Sequence, residues 1–440
     1  MTLHDPASTT PALILGFNGA TLRELRSRLN VAMVISDDES ADVQWEALQY
    51  LRLDIGPPLL TKQREDCLRY AESFFLEFSD IYSRRFRYVS EPVSEFRHAF
   101  VMTFDFCYRA IQERGIGLLV FSNIPHEGYD YIFYLIGRFL NLKIVMCYQS
   151  LFANRFFVSS DIDDFGLFAQ NPKLFDSEPC DYKLPTEWFY MKPFEDQSYR
   201  FGAMIREIAR SPRGAHVALM RYYYASKYRA NLAAAESAPK PGERYVYFPL
   251  HLQPELTTSA LGGPFADQLT ALEALSAMAP DGYMIYVKDN PRQTEMQRGP
   301  LFFSRINRLK NVRLVGRDVN SVQLIKGSEG VAIITGTAGW EALFHGKPVL
   351  TFGRAWYNRF SGVTIYKPET TFEEFLKNGP PPPDKLSKEL DALLMLAGRG
   401  VVDPEYGSLL DQPRDDNAIT VGDSIRRYLD LRHEKNGTPS

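Results

Sequence analysis

Several clusters of polar side chains follow directly on short apolar runs, the arrangement in which a β-strand delivers chemistry at its carboxyl end. In Val331-Ala-Ile-Ile-Thr-Gly-Thr-Ala-Gly-Trp-Glu-Ala-Leu343 a strand ends at Thr335, two glycines flank Thr337 and Ala338, and a helix starts near Gly339. Backbone N–H groups and two hydroxyls then converge at a helix N-terminus, where unpaired amides and the positive end of the macrodipole favour phosphate. Thr335, Gly336 and Thr337 are therefore candidate phosphate ligands. Glu341 lies one turn in, within reach of a ribose or sugar hydroxyl. The plainer alternative is a tight strand-to-helix turn with a solvated glutamate.

A second cluster, Tyr245-Val-Tyr-Phe-Pro-Leu-His-Leu-Gln-Pro-Glu255, runs a strand into a loop that holds His251, Gln253 and Glu255. An imidazole, a carboxamide and a carboxylate at one strand end offer directional hydrogen bonds to a polar ligand. The competing reading makes His251 a loop cap and leaves Glu255 facing water. The third cluster is Met284-Ile-Tyr-Val-Lys-Asp-Asn-Pro-Arg292, in which Lys288 and Arg292 supply positive charge for a phosphate leaving group and Asn290 can donate to it. In the first half, Phe121-Ser-Asn-Ile-Pro-His-Glu-Gly-Tyr-Asp130 brings His126, Glu127 and Asp130 to a strand end as candidate general bases or nucleophiles. A carboxylate that caps the following helix explains Asp130 or Glu127 as well. Asp161-Ile-Asp-Asp164 places three acids together without the ligand pattern of a calcium loop, so a solvated turn is expected there and no metal.

The elements that must position these residues alternate. In the first half strands are expected at Ala12–Phe17, Val31–Ile35, Gly115–Phe121 and Lys143–Tyr148, with helices at Thr21–Leu29, Val93–Glu113 and Tyr129–Leu140. From Phe152 to Pro193 no steady period appears, and Tyr199–Ala235 reads as helical. Pro239-Lys-Pro-Gly242 is the best linker. After it the alternation restarts with about five strands and four helices in about a hundred residues, the density of a doubly wound sheet. Gly379-Pro-Pro-Pro-Pro383 reads as a spacer before a helical segment, with fraying expected after His433. The expected organisation is an N-terminal domain at 1–240 with a helical insertion, a second at 241–378 and a helical segment at 379–440. Ligands of such sheets bind at the carboxyl ends of the strands, so a cleft between the two domains is expected to hold the chemistry.

At about 100–200 residues per domain, 440 residues allow two to four domains. The 50 Lys and Arg stand against 54 Asp and Glu, a net charge of −4, which supplies no basic field for nucleic acid. Four scattered cysteines, Cys67, Cys107, Cys147 and Cys180, indicate neither a zinc site nor a disulfide framework. With no secretory signal and no membrane-length apolar run, a cytoplasmic protein is expected. Aromatic residues reach 13%, and Tyr129, Tyr148, Phe152, Phe156, Trp340, Trp356 and Tyr357 are expected to line a sugar groove. Arg221-Tyr-Tyr-Tyr-Ala-Ser-Lys-Tyr-Arg229 combines cations with aromatics on one helix. It suits either a membrane or polyanionic-glycan surface, or packing between two domains, and packing is preferred.

The succession PLHLQPE, VKDNPR, VRLVG and TGTAGWEALFHGKPVLTFG, over residues 244 to 360, resembles the bacterial capsule polysaccharide biosynthesis family, which includes the Kdo transferases of capsule and lipopolysaccharide assembly. FSNIPHEG and CYQSLFANRFF resemble surface-glycan proteins more weakly. The resemblance implies a metal-independent GT-B glycosyltransferase with two Rossmann-like domains facing a central cleft and a nucleotide-sugar donor, CMP-linked for the Kdo members, held by the second domain. It implies Gln253 and Glu255 as donor-site residues and Thr335, Gly336, Thr337 and Glu341 as the phosphate and ribose cradle. Where many relatives have a histidine before the proline, this chain has Asn290. The function so implied is transfer of Kdo or another acidic sugar to a bacterial surface or capsular polysaccharide. No cofactor is expected besides the donor, and the partners are a glycan or glycolipid acceptor and the inner membrane or an assembly complex. The alternatives are an epimerase or hydrolase of nucleotide sugars on the same fold, or a non-catalytic assembly protein.

Overall fold

A computed structural model describes residues 9–84, 92–176, 200–211, 214–295, 298–380, 382–410 and 413–437. Cys180 and part of the irregular stretch expected up to Pro193 lie outside the described residues. In chain order the strands are β1 (Ala12–Leu15), β2 (Val31–Ser36), β3 (Val43–Gln44), β4 (Leu118–Phe121), β5 (Lys143–Gln149), β6 (Arg155–Ser159), β7 (Arg244–Pro249), β8 (Tyr283–Lys288), β9 (Val312–Val315), β10 (Gly330–Ile333), β11 (Val349–Thr351), β12 (Val363–Ile365) and β13 (Gly398–Arg399). They belong to two compact units. One comprises Met1–Tyr182 with Ser387–Ser440, and the other is Lys183–Leu386. These divisions differ from those expected near 240 and 378, and the C-terminal helical segment belongs to the first unit.

The first unit has a seven-stranded sheet in the order β13-β6-β5-β4-β1-β2-β3. β3, β2, β1, β4 and β5 run parallel, while β6 and β13 add antiparallel edges. β6 falls in the stretch where the sequence shows no strand period. All four residues of β1 and of β4 are buried, as apolar runs covered on both faces must be. The helix Tyr129–Phe139 is buried along Tyr129 to Gly137, and an added Cβ at Gly137 would stand 2.6 Å from the Leu119 side chain, so glycine lets the helix approach the sheet closely. On the other face Leu22 and Leu25 share one core with Val421, Ile425 and Tyr428 of the helix Arg414–Gly437, which continues past the point where fraying is expected. Gly422 permits that crossing, since a Cβ there would meet the Glu24 and Arg28 side chains at 2.9 Å.

The second unit has a six-stranded sheet, β12-β11-β10-β7-β8-β9, parallel at every pairing. Renumbered within the unit this is 6-5-4-1-2-3, the dinucleotide-binding order, and β3-β2-β1-β4-β5 of the first unit repeats its first five positions. Strand order reverses between β1 and β4 in the first unit and between β7 and β10 in the second. Two crevices follow, one at the carboxyl ends of each pair.

Most of the aromatics expected along a groove are in the core instead. Trp340, Tyr357, Phe152 and Phe156 are nearly or wholly inaccessible, and Trp340 packs on Trp356 with ring centroids 4.6 Å apart. Burying a large ring removes more apolar area from water than a sugar contact would, which is why composition alone misplaces them.

Candidate functional site

In the second unit β7 passes through Leu250 into His251, and β10 passes through Ile334 into Thr335. The backbone N–H of Thr335 points at Nε2 of His251, 3.4 Å away, so that nitrogen carries the lone pair and the proton sits on Nδ1. Burial, with the nearby Arg298 guanidinium, lowers the His251 pKa to about 4 and keeps the ring neutral. Gly336 is required here, because a Cβ would lie 2.6 Å from Cε1 of the same ring. Gly336 is also the N-cap of the helix Thr337–Phe344. Among the described residues no acceptor takes the N–H of Gly336, Thr337 or Ala338. Three amides, the helix N-terminus and the imidazole edge thus occupy one spot, a ready receptor for an anion. Glu341 sits behind them, bonded to the Thr337 side chain, and burial raises its pKa to about 7.

The other residues expected to touch a donor are engaged in holding this spot together. Gln253 Oε1 accepts from Arg298 Nη1 and Gln268 Nε2, and its Nε2 donates to the Ala266 carbonyl. Arg298, fully buried, also donates to the His251 carbonyl and to Asp289. Asp289 in turn accepts from the Tyr228 hydroxyl and Arg317. Gln253 is therefore part of a buried clamp that fixes the His251 loop. Glu255 caps the turn Leu256–Ala260 through a reciprocal capping box with Thr258. The Thr335 hydroxyl donates to the Thr257 carbonyl. Lys288 is turned away from the strand end, its ammonium donating to the Val319 carbonyl and the Ser321 hydroxyl. Asn290 accepts from the Arg292 N–H in a local turn. The three amides, His251 and Glu341 remain as the groups that present open chemistry.

In the first unit the crevice between β1 and β4 is a cleft of about 330 Å³, lined by residues from both strand ends and from the C-terminal segment Val402–Glu405. Gly16 lets the two strand ends meet, since φ is +79° and a Cβ would stand 2.3 Å from the Ser122 hydroxyl. Asp130 folds back beneath the loop and accepts from the N–H groups of His126, Glu127 and Tyr131 at 2.9, 2.7 and 2.6 Å. Burial raises its pKa, and the charge of His126 and the amide bonds oppose that rise. Asp130 thus shapes the loop. His126 Nδ1 lies 2.6 Å from the Ile124 carbonyl, a contact that requires the proton on Nδ1 and frees Nε2. Glu127 Oε1 is 3.6 Å from that Nε2 and 3.7 Å from Arg84.

Asp37, Asp403 and Glu405 also line the cleft, and the sequence reading did not reach them. Asp403, whose pKa burial raises, arrives through Gln149, whose Oε1 accepts from Val402 N–H at 2.8 Å. The only available signal was an acidic pair, Asp37-Asp38, just past β2. The cleft lining holds five carboxylates, Asp37, Glu127, Asp130, Asp403 and Glu405, and no Lys or Arg. Such a surface accepts hydrogen bonds from hydroxyls and repels phosphate.

Among the described residues no group of three or more His, Cys, Asp or Glu side chains is placed to hold a metal ion, and no helix is long and apolar enough to cross a membrane. Asp161 and Asp163 pair with Tyr134 and Arg138, and Asp164 accepts two backbone N–H groups, as a turn requires. Cys67, Cys107 and Cys147 are buried free thiols.

Fold and site together define a chain with two α/β units of Rossmann strand order, each with its polar residues at the strand switch. Residues 200–396 match the model of the capsule polysaccharide biosynthesis protein family. No curated protein sequence matches. Among solved structures, the beta Kdo 2,7 transferase KpsC of Thermosulfurimonas dismutans is similar at 12% identity over 77% of this chain and 98% of that one, with a TM-score of 0.35. The UDP-GlcNAc 2-epimerase of Methanocaldococcus jannaschii is similar at 10% identity over 98% of this chain and all of that one (100%), with a TM-score of 0.25.

Proposed function

We propose that the chain is a glycosyltransferase that moves a sugar from a nucleotide donor to a bacterial surface or capsular polysaccharide. The observation that carries this reading is the set of unpaired amides at Gly336, Thr337 and Ala338 beside the neutral His251, at the strand switch of a dinucleotide-ordered sheet. There the donor phosphate sits, and the amides with the Nδ1–H of His251 stabilise the charge that grows on the departing nucleotide. Glu341 is one turn away and holds the ribose. The family match supports the glycan product, and the donor we propose is a CMP-linked acidic sugar such as Kdo, as the sequence resemblance implies.

The acceptor binds in the acidic cleft of the first unit, where carboxylates take its hydroxyl protons. His126, with Nδ1–H tied to the Ile124 carbonyl, presents Nε2 as general base, and Glu127 beside it stabilises the imidazolium that forms. The enzyme works on the cytoplasmic face of the inner membrane, where nucleotide sugars are available. Titration with CMP, UDP and GDP tests the donor half: one of them raises the melting temperature, and failure of all three at millimolar concentration overturns the reading. A donor screen by mass spectrometry against a panel of short acceptors tests transfer. Turnover of the donor with no acceptor present would instead indicate an epimerase or hydrolase.

A further inference from the structure

The helices Phe201–Arg210 and Ala215–Ala233 pack on each other through Met204, Ala218 and Ala225, a thin seam of small and flexible side chains. Their outward faces are unusually apolar. Phe201 and Ile205 stand 59% and 48% exposed on the first helix. On the second, Val217, Met220, Tyr223 and Tyr224 are exposed at positions three and four residues apart, so they share one face. With Leu219, these two short helices carry nearly half of the large apolar side chains that the described residues leave exposed. The rest are scattered singly, as on any protein surface.

Charge accompanies the apolar face. Between Arg200 and Ala233 the sequence has seven Arg or Lys and a single acid, Glu207, in a chain whose net charge is −4. Glu207 pairs with Arg221 at 3.6 Å, and Arg221 also meets Glu295, so this half-exposed acid is already matched by a cation. Arg206 and Arg210 are exposed on the first helix, and on the second Lys227 lies over the Tyr223 ring at 5.8 Å. An apolar strip of exposed Phe, Ile, Met and Tyr on two helices that also carry exposed cations with long stems matches the boundary between acyl chains and anionic headgroups. It does not suit a soluble acidic partner, for which the apolar strip has no use, nor a second copy of the hairpin, which would bring like charges together.

We propose that this hairpin is a docking surface for an anionic lipid bilayer, on which the protein lies peripherally. The proposal is independent of the donor site and stands or falls without it. Co-sedimentation of the full chain with phosphatidylcholine vesicles, with and without phosphatidylglycerol, tests it. Binding is expected only with the anionic lipid and is expected to weaken as salt is raised. Ile205→Glu with Met220→Glu should lower binding tenfold or more, because a carboxylate replaces an inserting side chain. Arg206→Gln with Arg210→Gln should lower it about tenfold while leaving the apolar strip intact. All four positions are exposed, and unchanged melting curves would show that the variants are folded. Absence of binding to anionic vesicles overturns the proposal, as does binding that ignores both variants. It is equally overturned if the surface proves to join two copies, seen as a dimer in sedimentation that Met220→Glu dissociates, or if a soluble polyanionic glycan binds where vesicles do not.

Discussion

The Thr335 backbone N–H directed at His251 Nε2 settles which imidazole nitrogen can face a ligand. The bond holds only while the ring is neutral, and burial lowers the pKa to about 4 for that purpose. Between the ordinary value of 6.5 and about 4 the unfolded chain binds a proton that the folded ring does not. Stability therefore falls as pH falls through that window, by on the order of 3 kcal/mol at its full extent. Urea unfolding of the protein and of His251→Gln at pH values near 7 and near 5 should show a loss in the first and a smaller one in the second.

Glu341 contributes with the opposite sign. Its folded pKa is raised to about 7 from 4.5, so the folded chain holds a proton that the unfolded chain has released, and stability falls as pH rises through that range. Glu341→Gln should be more stable than the native protein near pH 8 and little different near pH 5, measured by thermal melts. If the two melting temperatures track each other at both pH values, the burial of this carboxyl is not what shifts it.

Gly336→Ala forces a methyl against the imidazole at 2.6 Å. Overpacking of this kind should cost about 1–3 kcal/mol in denaturant unfolding. Because the same shift displaces the unpaired amides, nucleotide affinity should fall more than stability alone accounts for. Titration calorimetry on the folded variant separates the two effects.

Asp130→Ala removes the shared acceptor of three N–H groups in the loop 126–131. A loss on the order of 3 kcal/mol is expected, since one buried and two half-buried donors lose their acceptor. Asp130→Asn keeps one acceptor oxygen and should lose less. Limited proteolysis should cut near Glu127 in the alanine variant first.

Arg298→Met leaves Asp289 buried with one cation fewer and releases Gln253 and the His251 carbonyl together. Breaking such a pair costs about 3–5 kcal/mol. Arg298→Lys offers one ammonium to partners that a guanidinium fork reaches in different directions, so it should rescue only part of the loss.

The alternation of apolar runs and helix-period stretches made both α/β sheets legible, because burial on two faces imposes continuous Val, Ile, Leu and Phe in the strands. β6 stayed hidden because its run, Arg155–Ser159, is short and begins on a charge. The position of candidate residues at strand ends was also legible, and their tasks were not. Gln253 looked like a ligand because a carboxamide in a loop has four hydrogen-bonding directions, and nothing in its neighbourhood revealed that Arg298, 45 residues on, would occupy one of them. The acidic lining from Asp403 and Glu405 was illegible for a similar reason: the segment reaches the cleft only through Gln149, some 250 residues earlier.

That return of the chain has a bearing on synthesis. The second unit is one unbroken stretch, Lys183–Leu386, whereas the first needs both Met1–Tyr182 and Ser387–Ser440. A ribosome emitting this chain from its amino end exposes every strand of the later sheet before it releases Val421, Ile425 and Tyr428, which seal the helix Gly19–Arg28. The unit begun first is completed last, and until then one face of its sheet lacks part of its cover.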